Sequence, residues 1–170
     1  MNKDKFTIIL VSAGIIAALG VLFWLGRSGI NNPNNSANLS ENVTADLVSD
    51  EDYYNFGVIS MAAGQVSHDF KVKNTGVEPV KIEKVYTSCM CTDAYFIQNG
   101  KKLGPFGMAG HGFVPPLKKS LAPGEEVIIS AVFDPAAHGP AGVGPIEREI
   151  YLEGKSSPLL TLGIGAKVTP

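Results

Sequence analysis

At 170 residues the chain has room for one ordinary domain and an appendage. Its 14 Lys and Arg stand against 16 Asp and Glu, a formal net charge of −2, which leaves neither a basic face for nucleic acid nor an acidic tail for a cationic partner. Only two cysteines are present, and a domain of this size folds on its core without needing a disulfide.

In chain order, residues 1–5 carry Lys3 and Lys5 and are expected inside the cell. Phe6 to Gly26, "FTIILVSAGIIAALGVLFWLG", then runs 21 positions without a charge, about 30 Å of helix, which matches the apolar thickness of a bilayer. The run is too long for the apolar part of a cleaved leader, and no small-x-small site follows it directly. No cysteine follows it either, which argues against a lipoprotein. Arg27 is the last Lys or Arg before Lys71, so the charge bias points the bulk of the chain outward, into the periplasm of a Gram-negative cell. Residues 27–50 are rich in Asn and Ser, show no apolar period and are expected to form a flexible tether.

From residue 51 to 170 the period is 2. Val66, His68, Phe70 and Val72 alternate with Ser67, Asp69, Lys71 and Lys73, and Asn74-Thr75-Gly76 turns the chain. Val80 and Ile82 continue the alternation. Asn99-Gly100 is the strongest two-residue hairpin signal and predicts pairing of Gln98 with Lys101, Ile97 with Lys102 and Phe96 with Leu103. Ala122-Pro123-Gly124 predicts a type II turn ahead of Val127, Ile129, Ala131 and Phe133. Ile146 to Leu152 and Leu160 to Val168 supply two more strands. Short strands punctuated by Gly, Pro and Asn predict an all-β fold, an immunoglobulin-like antiparallel β-sandwich behind a single N-terminal transmembrane helix.

The pieces Phe70, Asn74, Gly76, Ser88-Cys89-x-Cys91-Thr92, Pro123-Gly124-Glu125 and Phe133-Asp134 resemble the domain-of-unknown-function 1573 family of bacterial extracytoplasmic proteins. That resemblance spans roughly residues 54 to 168 and implies a sandwich of the pilus-chaperone and major-sperm-protein type, with no activity attached. One departure stands out. The chain spends 30 residues between Thr92 and Pro123, more than the family usually does, and the added segment holds Met108 and His111.

Cys89 and Cys91, in "SCMCT", would point to one side of an extended strand. A disulfide between them there would lie near the upper limit of reach and be readily reduced. The hairpin register, carried past Phe96, would return Met108 opposite Cys91. Two thiolates, a thioether and an imidazole are a soft set that selects copper, as Cu(I), ahead of zinc. The expected metal site is therefore Cys89, Cys91, Met108 and His111, with Met90 or His138 in reserve. His68, on the apolar side of its strand, is expected to be a core histidine, and His138 alone would cap a turn.

Three other readings stay open. A thiol-disulfide pair would need a nearby cation to depress a thiol pKa, and no Lys or Arg lies within five residues after Cys91. Nucleophilic catalysis would need an orienting third group that the sequence does not display, so no enzyme is expected. A protein-interaction or envelope-scaffold module, joined to a partner by strand addition at a sheet edge, is the alternative to metal binding.

Overall fold

The computed structural model describes residues 47–170. The membrane span expected at residues 6–26 lies outside the described residues, as does most of the tether expected at 27–50. Among the described residues no helix is long and apolar enough to cross a membrane.

Eleven strands form among these residues: β1 (Leu47–Ser49), β2 (Tyr53–Ser60), β3 (Val66–Asn74), β4 (Val80–Ile82), β5 (Lys84–Thr87), β6 (Thr92–Gln98), β7 (Lys101–Phe106), β8 (Lys119–Leu121), β9 (Glu126–Phe133), β10 (Gly144–Glu153) and β11 (Pro158–Thr169). One sheet runs β1-β3-β9-β6-β7, the other β2-β11-β10-β5, and β4 pairs with β8 apart from both. Ahead of residue 51, β1 pairs with β3, Leu47 opposite Asn74. Between the named strands the pairing is antiparallel with one exception. β2 runs parallel to β11; it arrives from β1 in the other sheet, so no hairpin sets its direction.

The apolar halves of the alternating strands meet between the two sheets. Phe70, Phe96 and Ile129 from one side and Ile150, Leu162 and Ile164 from the other are fully buried. At about 25 cal/mol per Å² of apolar area, this burial is the main force holding the sheets together. His68 belongs to the fringe of that core. Its ring stacks on Tyr54 at 3.6 Å, meets Phe70 edge-on at 4.8 Å, and Nε2 lies 2.6 Å from Glu51 Oε1.

Two turns lock the register. Asn74 is 0% exposed; its Nδ2 donates to Glu78 O at 2.9 Å and Leu121 O at 3.0 Å, and its Oδ1 accepts from Gly76 N–H at 2.9 Å. At Pro123-Gly124 the glycine takes φ 78°, as a type II turn requires, and Glu125 N–H donates to Ala122 O at 3.0 Å. The Glu125 carboxylate accepts from Ala122 N–H and Gln98 Nε2, which hold its pKa below the usual carboxylate value.

The Asn99-Gly100 hairpin takes the predicted register: Gln98 with Lys101, Ile97 with Lys102, Phe96 with Leu103. It then slips, so that Ala94 faces Phe106 and two residues, Gly104 and Pro105, span what Tyr95 spans on β6. Gly104 has φ 124°, and a Cβ there would meet Ala94 O at 2.9 Å. Gly104→Ala therefore has to move backbone as well as adopt a conformation that side chains avoid. A loss of about 1–3 kcal/mol is expected in urea unfolding.

Tyr86 OH donates to Glu153 Oε1 at 2.6 Å, and that bond, with some burial and the Glu153 charge, pushes its pKa up to about 12. A phenol whose folded pKa is raised contributes fully below its unfolded value near 10, and the contribution fades as pH rises through about 12. Ultraviolet tyrosinate titration is expected to show a late step near 12, absent in Tyr86→Phe.

Candidate functional site

The two cysteines do not sit on an extended strand. They occupy the turn that carries the chain from β5 in one sheet to β6 in the other, closed by Thr92 N–H donating to Cys89 O at 3.2 Å. Thr87 Oγ1, buried beneath the turn, lies 3.0 Å from Cys89 O and 2.9 Å from Thr92 O. Ser88 N–H donates to Glu149 O at 2.9 Å, Glu149 N–H returns a bond to Ser88 Oγ at 2.8 Å, and Asp134 N–H donates to Cys91 O at 2.9 Å. The turn is thus held at once from β10 and from the residue that follows β9. It brings the cysteine α-carbons to 5.3 Å, inside the ordinary span of a bridge, and the sulfurs are bonded to each other. The limiting reach expected for an extended strand does not arise.

Polar hydrogens converge on this disulfide. Cys91 N–H donates to Cys89 Sγ at 3.3 Å, and His138 Nε2 stands 3.1 Å from the same sulfur. Arg148 Nε donates to Cys91 Sγ at 3.2 Å. His138 lies on the Gly- and Pro-rich link between β9 and β10; its side chain makes no capping bond to the short helical turn Gly139–Gly142, so the expected turn-capping role is not the one it has. Cys89, His138 and Arg148 share a concavity of about 760 Å³ with Tyr53, Ser88, Glu147 and Glu149.

Tyr53 forms one wall of that concavity because β11 reads Gly-Ile-Gly at 163–165. A Cβ on Gly163 would lie 2.8 Å from the Tyr53 ring, and Gly165 lies directly beneath its hydroxyl. The two glycines let the ring lie flat on the outer face of the sheet.

Of the expected ligands, Cys89, Cys91 and His138 come together, their donor atoms all within 4.8 Å of one another. The reserve histidine has the place given to His111. His111 is exposed on the segment after β7, its backbone N–H bonded to Met108 O at 3.2 Å. Met108 bridges Thr87, and Thr87 N–H donates to Gly107 O at 3.1 Å. This pairing with the end of β5 turns the following residues toward Lys84 and Tyr86, where Ala109, Gly110 and Val114 line a separate hollow. The hairpin register slips by one at Gly104-Pro105 and its pairing ends at Phe106, before Met108, while Cys91 lies in the turn ahead of β6, so Met108 pairs with Thr87 and does not face Cys91 across the hairpin.

Residues 47–105 match the family described as protein of unknown function, DUF1573. The resemblance read from the Cys-x-Cys-Thr motif is therefore found independently. No curated protein matches the sequence. Among solved structures the chain is similar to a protein of unknown function from Porphyromonas gingivalis, with 15% identity, a TM-score of 0.49, and coverage of 71% of this chain and 46% of that one. It is similar also to the PapD-like domain 7 of human CEP192, with 13% identity, a TM-score of 0.42, and coverage of 74% and 86%. The periplasmic chaperone SfaE matches at 9% identity with a TM-score of 0.35, over 73% and 58% of the two chains. The chain spans less than half of the Porphyromonas gingivalis protein, and none of the three carries a function over to it.

Proposed function

We propose that the chain is a membrane-tethered, extracytoplasmic binding module whose Cys89–Cys91 pair exchanges thiol and disulfide with a cysteine-bearing protein partner. One observation carries this reading: the disulfide lines an open concavity with an imidazole nitrogen 3.1 Å from Cys89 Sγ. Exchange requires a reachable sulfur, a second thiol one step away and a group that gives or takes a proton; these three supply all of it.

The test is a redox titration of the full-length chain in glutathione buffers, quenched by alkylation and read by mass. A midpoint more oxidising than about −300 mV is expected, above the range typical of structural disulfides. A pair that stays bonded in strongly reducing buffer would end the proposal.

A second reading rests on the 4.8 Å cluster of donor atoms. Once reduced, Cys89, Cys91 and His138 form a soft three-ligand set suited to Cu(I). Against it stands Arg148, whose positive charge faces Cys91 and opposes a cation. Titration of the reduced chain with Cu(I) against a competing chelator decides it: His138→Ala and Cys89→Ser should each weaken binding at least tenfold, and equal affinity in all three proteins removes the metal.

A further inference from the structure

Arg148 is out of place by the usual rule for a strand. In β10 the side chains of Ile146, Arg148, Ile150 and Leu152 share one phase, and Ile150 and Leu152 are fully buried in the core. The guanidinium is therefore carried on the inward side, partly buried, at the end of the sandwich where the β5–β6 turn closes it. Its bonds go to Cys91 Sγ at 3.2 Å through Nε and to Glu147 O at 2.7 Å through Nη1. Among the described residues the ion pairs are His68 with Glu51 and Lys84 with Glu153, and no carboxylate pairs with Arg148. Glu147 and Glu149 belong to the opposite phase of β10, where Glu149 accepts from Tyr151 OH. Asp93 is held beside Gly107.

A partly buried cation without an anion is unfavourable, and a fixed guanidinium is a strong partner for one that forms beside it. Cys91, 3% exposed, is the sulfur it touches, and Thr92 Oγ1 lies 3.8 Å from the same atom. Cys89 is partly buried, lines the concavity and has the imidazole. The two sulfurs are chemically unequal.

Building on the exchange reading, we propose that Arg148 is the counter-ion of a Cys91 thiolate, so that a partner thiolate attacks Cys89 and expels Cys91. In that step the bond from the partner sulfur to Cys89 Sγ forms and the Cys89–Cys91 bond breaks; the electron pair leaves on Cys91 Sγ beside Arg148. A second thiolate of the same dithiol partner then attacks the partner sulfur of the mixed disulfide, and Cys89 departs, taking a proton with His138 as donor. The partner's two thiols are oxidised to a disulfide and the Cys89–Cys91 pair is reduced to a dithiol, two electrons in all. A protein dithiol is the substrate class.

The experiment uses the oxidised full-length chain with limiting glutathione, acid quenching, alkylation and peptide mapping, on wild type, Arg148→Met and Arg148→Lys. Glutathione is expected on Cys89 and the alkyl group on Cys91. Arg148→Met should slow reduction by dithiothreitol about tenfold, since a neighbouring charge of this kind moves a pKa by 1–3 units, with Arg148→Lys in between. The site of glutathionylation in the wild type provides a reading that needs no variant. Glutathione mapped to Cys91, or equal rates in all three proteins, would each overturn the assignment to Arg148 while leaving exchange itself standing. A wild-type disulfide that thiols do not open at all would remove both.

Discussion

Phe96→Ala is expected to cost about 3–5 kcal/mol, the usual loss when a large aromatic side chain is cut out of a close-packed core. Phe96 is 0% exposed, lies on β6 between β9 and β7, and pairs with Ile129 on one side and Leu103 on the other. A domain with a total stability of about 5–15 kcal/mol loses roughly a fifth or more in one step. At an m-value of roughly 1–3 kcal/mol/M, the urea midpoint should fall by about 2 M. Phe96→Leu fills most of the space and should restore most of the midpoint. A loss below about 1 kcal/mol for the alanine variant would mean that the sheets do not close over this residue.

Asn74→Asp is the second large effect, and it depends on pH. The native amide donates to two carbonyls, Glu78 O and Leu121 O, from a fully buried position. A carboxylate of the same shape has no hydrogen to donate and sets an anion against both oxygens. The folded state then favours the protonated acid, so the pKa of the introduced carboxyl is raised. Stability is accordingly highest below the unfolded value of about 3.9 and falls as pH rises through the raised folded one. At neutral pH a loss of about 3 kcal/mol or more is expected relative to the parent, because a buried charge is left with unsatisfied partners. Thermal melts at acid and neutral pH test it: parallel shifts in parent and variant would contradict the clamp.

The fold was legible where the strands are long and one-sided. β3 and β9 each show the apolar alternation in sequence and bury those same residues, Phe70 and Val72 against Val127, Ile129 and Ala131. β1 and β8 have three residues each, too few for a period, whereas Val80 and Ile82 of β4 carry on the alternation and are buried. β2 hides its alternation because Gly57, at φ 73°, falls where the register to β11 shifts. The candidate site was legible only in its sulfurs. His138 is 49 residues from Cys89, and spacing along the chain carries no sign of that approach. Arg148 did leave a signal: in phase with Ile146, Ile150 and Leu152, it puts a charge on the apolar side of a strand. A search for cations confined to the residues following Cys91 passes over it, since the sandwich returns β10 to the turn from 57 residues away.

The bridge between Cys89 and Cys91 encloses a single intervening residue. A loop so short removes little freedom from the unfolded chain, about 1.6 kcal/mol on the chain-entropy account. Opening it therefore leaves the sandwich standing on its apolar interior, and the domain can pass between its two covalent forms without melting. The proposed exchange and the architecture are therefore separable, and opening the bridge changes only one corner of the scaffold.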